Sequence, residues 1–415
     1  MFKTVQNLQD VSFYIYSVFK TIVSKNIGQN TFDAVWRVIS WSFLALYEGV
    51  WPAFDPSGVR YSANSVEGRR AGTPLAPMPN GNLFGMLWIL KSDLDWAYDR
   101  LGLANYRAVR QGPCVFCPCN SVNMFWSDLR ERHAPWVDNV YTTVTWLARN
   151  PNRIALFNLP GVTALNYMCD VMHCKHLGTD MYFAASVLWA LCYIVLPRTP
   201  SQNLEHVMGL VRAWKGATVG CAKTYNNVKL SMFTNPDKPR DDYPKLKGRA
   251  WEIRNVMKPL LHVWKECMDP TVIWHKHITA GLKRAIEIED VLDRNPRVAK
   301  LPDAEAQAYK THVFAFLAHF TWLAQYFISL PVGERLRLFD VTIKGHYMAH
   351  SALTCHHQNP RMGWCYMGED YMKIMKSLMQ SCVRGNAPQN ATLKMLTKLR
   401  LAFRIDVDDS EDLLF

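Results

Sequence analysis

Apolar residues recur at steps of three and four along residues 31–51, TFDAVWRVISWSFLALYEGVW. This spacing puts them on one face and predicts an amphipathic α-helix. The following segment, residues 52–81, contains five proline and four glycine residues. Such a composition predicts a long irregular connection, because proline and glycine interrupt both helices and strands.

A continuous apolar run extends from Leu83 to Leu90 and ends in Lys91, Ser92 and Asp93, after which the pattern becomes helical. It predicts a buried strand that leads directly into a helix. An acid at a strand end lies at the edge of a sheet, where α/β enzymes commonly place their chemistry. The alternative is that Asp93 only caps the helix.

From residue 136 to about residue 330 the pattern is mainly helical, and strand signals are scarce. The most apolar segment, MYFAASVLWALCYIVL at residues 181–196, is shorter than a typical membrane span and predicts a buried helix. The fold class expected from these patterns is α/β with a large excess of helix. We expect no association with a membrane.

The composition suggests a polyanionic partner and a reducing environment. The chain has 47 Lys and Arg against 35 Asp and Glu, a formal charge of +12. This balance favours a partner such as nucleic acid, although a solvated basic surface is the simpler alternative. Eleven cysteines, an odd number, without a recognisable secretory leader favour free thiols in a nuclear or cytoplasmic protein.

Two cysteines have the spacing of a zinc ligand pair. Cys114 and Cys117 form C-x-x-C in the segment PCVFCPCN, which can place two thiolates on one turn. A tetrahedral zinc site needs two further ligands. The segment DVMHCKHLGTD, residues 170–180, together with the preceding Cys169, offers these donors: His173 and His176, or Cys169 and Cys174. A redox pair and unliganded turn cysteines remain alternatives.

The C-terminal part contains another histidine pair and a pair of acids. His346 and His350 are four positions apart, which is compatible with one helix face. They lack the acidic neighbour of the metalloprotease motif H-E-x-x-H. Glu369 and Asp370 open a predicted helix, where acids are commonly found because they interact favourably with the helix dipole.

The order of these motifs resembles a known family. LKSDLDW, CVFC, DVMHCKHLG, KGHYMAH and GWCYMGED follow one another in this order. This arrangement resembles the catalytic region of CACTA and Plavaka-type DNA transposases, and more closely a diverged, high-copy group of transposon-derived proteins. The resemblance covers roughly residues 30 to 400, and it depends on the order of the motifs rather than on any single one.

The resemblance implies an RNase H-like core interrupted by a large helical insertion. Residues 1–135 would be the first part of the core with the C-x-x-C pair, and residues 136–335 the helical segment and insertion. Residues 336–415 would complete the core with the acid-headed helix and an acidic tail. DNA is then the expected partner, and homo-oligomers are compatible with this family.

The resemblance also implies a D, D, E triad that holds two Mg²⁺ or Mn²⁺ ions for DNA cleavage and strand transfer. The second aspartate falls on Asp93 and the glutamate on Glu369. Only thirty residues precede the first helix, and Asp10 is the one candidate there for the first aspartate. Without Asp10 in the site the triad is incomplete, and the chain would bind DNA without cutting it.

The resemblance gives Asp170 and His173 a structural role, as part of a motif that organises the core and shares a zinc ion with Cys114 and Cys117. Two main hypotheses follow. The chain is a transposase-like nuclease, or it is a catalytically inactive, zinc-stabilised DNA-binding or scaffold protein. A purely helical interaction protein is the third.

Overall fold

A computed structural model describes residues 31–78, 81–82, 84–220, 222, 224–383, 390–391, 393–395 and 397–398. Asp10 and the acidic C-terminal tail lie outside these residues. The chain divides into two compact units. The first takes the described residues within 1–86, 154–160 and 365–415, and the second takes those within 87–153 and 161–364.

The α-helices of the described part are, in chain order, α1 Thr31–Glu48, α2 Val66–Arg70, α3 Leu94–Leu101, α4 Thr143–Arg149, α5 Asp180–Ala190, α6 Pro200–Ala217, α7 Ala250–Cys267, α8 Ile273–Arg294, α9 Asp303–Ile328, α10 Ile343–Thr354 and α11 Tyr366–Val383. The strands are β1 Pro77–Met78, β2 Gly81–Asn82, β3 Leu90–Ser92 and β4 Tyr167–Cys169. The α-rich expectation is therefore confirmed. The RNase H-like architecture remains a prediction.

In the first unit, α1 occupies the predicted place and packs against a short 3₁₀ turn, Ala155–Asn158. Its apolar face supplies the buried side chain of Trp36. Within the described residues of the proline- and glycine-rich connection, the regular elements are the short helix α2 and the antiparallel pair β1 and β2, as its composition predicts.

The predicted strand before Asp93 is much shorter than its apolar run. Only β3 forms, and it pairs in parallel with β4, with Leu90 opposite Tyr167 and Ser92 opposite Cys169. The preceding residues 84–89 form no strand, and the alternate side chains of Phe84, Met86 and Trp88 are exposed. The expectation of one buried strand from Leu83 is wrong for this part of the run.

The core of the second unit is helical. Helix α5 is preceded by a wide π-helical turn, Met172–Thr179, and followed by another, Leu191–Val195. Together they form the one helix of the described part that is long and apolar enough to span a membrane, with 78% of its most apolar window buried inside the protein. The predicted burial of residues 181–196 is thus confirmed over most of their length.

Close packing of Phe183, in α5, against α8 accounts for a glycine within α8. A Cβ atom on Gly281 would lie 2.4 Å from the ring of Phe183. The absence of that atom lets the Phe183 ring approach the α8 backbone and contact Phe316 of α9. Helix α10 packs against α9 and against the Met172–Thr179 turn, which fixes its position in the unit.

Candidate metal centre

Cys114 and Cys117 lie on an irregular turn between α3 and α4, and their exposed fractions are 4% and 0%. The backbone N–H of Phe116 donates to Cys114 Sγ at 3.2 Å. An N–H group that points at a sulfur stabilises the thiolate form, as at other metal-binding turns. A third cysteine, Cys119, is also fully buried beside them.

Helix α10 brings two histidines to this turn. His346 and His350 are one helical turn apart and are 0% and 1% exposed. Their Nε2 atoms are 3.1 Å apart, and each lies 3.3 Å from Cys117 Sγ. The ligand atoms of Cys114, Cys117, His346 and His350 all lie within 4.8 Å of one another. We call these four residues the Cys/His cluster.

The cluster has the dimensions of a tetrahedral zinc site. With Zn–S bonds of about 2.3 Å and Zn–N bonds of about 2.05 Å, the tetrahedron has edges of about 3.3 Å between nitrogens and about 3.6 Å between sulfur and nitrogen. The separations of His350 Nε2 from His346 Nε2, 3.1 Å, and from Cys117 Sγ, 3.3 Å, agree with these edges to within about 0.3 Å. The donor set therefore fits zinc in chemistry and in size.

Contacts around the cluster orient its ligands. His346 Nδ1 lies 3.1 Å from the carbonyl oxygen of Trp126, to which it donates, so the lone pair is on Nε2, the atom that faces Cys117. Tyr347 holds the cysteine turn against α10. Its hydroxyl donates to the carbonyl oxygen of Pro113 at 3.0 Å and accepts the N–H of Val115 at 3.2 Å.

Aromatic rings exclude water from the cluster. The buried ring of Trp136 lies 4.3 Å from the His346 ring and 4.8 Å from the His350 ring, measured between centroids. Phe116 covers His350 from another side at 5.1 Å. A low-polarity shell strengthens the attraction between a cation and its thiolate ligands, since no water competes for either.

The protonation states also suit a metal. Burial lowers the pKa of His350 to about 4, so its imidazole is neutral at neutral pH. Burial would raise the pKa of Cys117, but its contacts with Cys114, Cys119 and the two imidazoles outweigh burial and hold this pKa well below its usual range. Burial also raises the pKa of Cys114, so a metal ion that binds here displaces the proton of that thiol.

The other candidate donors lie apart from this set and bond to different partners. The His173 ring contacts the Asp170 carboxylate, which is 1% exposed and also accepts the N–H of Met172 at 2.9 Å. Asp170 and His173 thus close the first turn of the π-helical segment. The Sγ atoms of Cys169 and Cys174 contact each other at 3.1 Å, a distance too long for a disulfide bond. The histidines that lie next to the C-x-x-C pair are therefore His346 and His350, and not the expected His173 and His176.

His176 belongs to a second buried group. Its Nε2 lies 2.8 Å from Glu289 Oε1. The fully buried Lys175 contacts the same oxygen at 2.8 Å and Asp180 Oδ2 at 2.7 Å, and Arg254 contacts Glu289 Oε2 at 2.6 Å. We call these five residues the ionic cluster.

The ionic cluster already contains the cations that its carboxylates require. Ligand atoms of His176, Asp180 and Glu289 lie close enough to hold a metal ion. However, the Lys175 ammonium group contacts both carboxylates. Burial raises the pKa of Glu289, but Lys175 and His176 outweigh it and hold this pKa well below its usual range. We therefore interpret this cluster as a structural ion network.

The two acids predicted to be catalytic belong to different compact units. Asp93 is the N-cap of α3, and its Oδ1 accepts the N–H of Trp96 at 2.6 Å. Asp93 therefore caps α3, which is the alternative that its sequence context offered. Glu369 lies in α11, in the other unit, and its side chain is outside the described part of the chain. The convergence of the two acids stays a prediction.

Sequence reasoning noted the H-x-x-x-H spacing of His346 and His350 but did not connect it with the C-x-x-C pair. The usable signal was that spacing, because it places both imidazoles on one face of a helix. Comparison with protein-family models, with curated proteins and with solved structures gives no match. The functional inference therefore depends on the site.

Proposed function

We propose that the chain is a transposon-derived nucleic-acid-binding protein whose fold is held together by a structural zinc ion on the Cys/His cluster. The observation that carries the zinc assignment is the buried set of two cysteines and two histidines with tetrahedral spacing. Structural zinc sites use four protein ligands, whereas catalytic sites keep one position for water or substrate. The free thiols of Cys114 and Cys117 suit a reducing, nuclear or cytoplasmic compartment.

Zinc in this place would join distant parts of the chain. Cys117 and His346 are 229 positions apart. Structural zinc contributes about 10 to 16 kcal/mol of apparent binding free energy in zinc-finger peptides. This is comparable to the net stability of a typical domain, about 5 to 15 kcal/mol. The ion is thus expected to decide whether the cysteine turn stays on α10.

Nucleic-acid binding is supported by the formal charge of +12 and by the order of motifs. A protein that contacts phosphates with lysine and arginine releases counterions, so its affinity falls steeply as salt increases. The test is a titration of labelled DNA followed by fluorescence anisotropy at several salt concentrations. Saturable, salt-sensitive binding is expected, and the absence of binding at low salt contradicts the proposal.

Metal-dependent DNA cleavage is a second candidate function, favoured by one observation. Strands β3 and β4 are parallel neighbours, and each is followed directly by an aspartate, Asp93 and Asp170. The carboxyl ends of parallel strands share one edge, where carboxylate oxygens could bind Mg²⁺ in the RNase H-like core that the motif order implies.

This second function is tested by nicking of supercoiled plasmid in Mg²⁺ or Mn²⁺. Asp93→Asn should abolish nicking, and the fold should persist because asparagine is also a good N-cap. Asp99→Asn, at an exposed position of α3, is the matched control and should keep the activity. If the unmutated protein does not nick DNA, the enzyme hypothesis is rejected and the binding proposal stands.

A further inference from the structure

A polar groove lies on the outer side of the cysteine turn. It has a volume of about 500 Å³, and its floor includes Cys114, Val115 and Pro118. Its walls carry guanidinium, amide and phenol groups from Arg110, Arg149, Gln111, Asn120, Asn150 and Tyr141. Among its lining residues there is no aspartate or glutamate. The groove therefore has a positive charge with no acid to balance it.

The two arginines differ from others in the same unit. Arg149 lies 5.3 Å above the Tyr141 ring, and neither Arg149 nor Arg110 forms an ion pair with a described residue. Arg107 provides the contrast. It lies 5.2 Å above the Tyr106 ring in the same manner, but it pairs with the carboxylate of Asp95. The charges of Arg110 and Arg149 thus remain available to a ligand.

We propose that this groove binds one phosphate and its adjoining base from a single-stranded nucleic acid. Guanidinium groups bind phosphate oxygens in a bidentate manner, and two of them face the groove. The stacked Arg149 and Tyr141 offer flat surfaces on which a base can stack. The volume lies within the usual range for small-ligand sites, about 300 to 1,000 Å³, and suits a single nucleotide rather than a duplex.

The position of the groove couples it to the metal centre. Cys114 is both a member of the Cys/His cluster and part of the groove floor. Removal of zinc should therefore distort the groove and weaken binding of the strand. This inference depends on the proposed function, because it assigns the place where nucleic acid binds.

The experiment uses the full chain loaded with zinc and a short, labelled single-stranded oligonucleotide. The test variant is Arg110→Gln combined with Arg149→Gln, and Arg107→Gln is the matched control. The double variant should bind at least about tenfold more weakly, and the slope of log affinity against log salt should become shallower by about 0.7, the value for one single-strand phosphate contact. The control should bind within about twofold of the unmutated protein. Equal zinc content and equal melting temperature confirm that the variants fold.

Each outcome has a distinct meaning. If the unmutated protein binds neither single-stranded nor duplex DNA, the proposed function itself is wrong. If it binds and the double variant binds equally well, the groove is not the site, and the proposed function stands. If unlabelled duplex competes as strongly as unlabelled single strand, the assignment of a single strand is overturned.

Discussion

The Cys/His cluster and the ionic cluster are both buried groups of potential metal ligands in the same unit, and they differ in how charge is balanced. In the ionic cluster, the carboxylates of Asp180 and Glu289 contact the cationic side chains of Lys175 and Arg254. In the Cys/His cluster, the sulfur of Cys117 contacts imidazoles, one of which has a pKa of about 4.

The comparison shows that proximity of ligand-type side chains does not define a metal site. A buried charge needs a partner, since desolvation in the protein interior is costly. Lysine and arginine supply the partner in the ionic cluster. In the Cys/His cluster two thiolates and two neutral imidazoles would carry a negative charge that a bound dication balances. The two clusters should therefore respond in opposite ways to metal removal and to loss of a carboxylate.

Chelation should have the largest effect. A strong zinc chelator is expected to lower the free energy of unfolding by at least about 5 kcal/mol, because zinc that binds only the folded state stabilises it. Thermal unfolding with and without chelator measures this change, and added zinc should restore the original melting temperature. If removal of zinc leaves the melting curve unchanged, the stability of the protein depends on a metal at neither cluster, and the proposed difference between the clusters is wrong.

Loss of the Glu289 charge should have the next largest effect. Glu289→Gln leaves the buried Lys175 with only one carboxylate, and breaking such a pair typically costs about 3 to 5 kcal/mol. The free energy of unfolding in urea should fall accordingly, with the zinc content unchanged. Glu287→Gln is the control, because Glu287 pairs with Arg284 nearer the surface, and it should cost less than about 1 kcal/mol. Loss of zinc from Glu289→Gln would contradict the separation of the clusters.

Acid should affect the clusters over different pH ranges. His350 has a pKa of about 4 in the folded protein against an ordinary 6.5, so the unfolded state binds more protons between these values. In the protein without zinc, its contribution is complete above pH 6.5 and is lost as the pH falls to about 4, and it amounts to about 3 kcal/mol. Competition of protons with zinc for the same imidazole acts in the same direction.

Glu289 has a lowered pKa, so its contribution is present above the ordinary value of 4.5 and is lost only as the pH falls further. Urea unfolding of the unmutated protein and of His350→Gln across both ranges separates the two contributions. His350→Gln should lose less stability between pH 6.5 and about 4. Equal losses in the two proteins would show that His350 does not titrate in this manner.

Removal of the Tyr347 hydroxyl should have the smallest effect. Tyr347→Phe loses the hydrogen bonds to Pro113 and Val115, which should cost about 1 kcal/mol and weaken zinc binding by about tenfold. Competition with a chromogenic chelator measures the zinc affinity. Tyr326→Phe, at a partly buried position of α9, is the control and should leave the affinity unchanged. If both variants have the same zinc affinity, the Tyr347 hydroxyl does not help to hold the metal site.

Much of this arrangement could be predicted from local sequence patterns, but its long-range parts could not. Helix α1, the cap at Asp93 and the paired cysteines each depend on neighbouring residues. Two histidine pairs could have completed the metal site, either His173 and His176 or His346 and His350. Which pair does so depends on the helix that packs on the cysteine turn, and this contact spans more than two hundred positions. Likewise, strand β3 is short because only Leu90–Ser92 pairs with β4. No local sequence pattern specifies how far this pairing extends.

The most direct test of the account is the zinc content of the purified protein, measured by mass spectrometry of the metal per chain. We predict about one zinc ion per chain, since a closed tetrahedral set holds a single ion. Cys114→Ser combined with Cys117→Ser should abolish it, whereas Cys267→Ser, at a half-buried position of α7, should retain it. Full zinc content in the double variant, or a folded protein that takes up no zinc when it is supplied, would contradict the assignment of the Cys/His cluster as a structural metal centre.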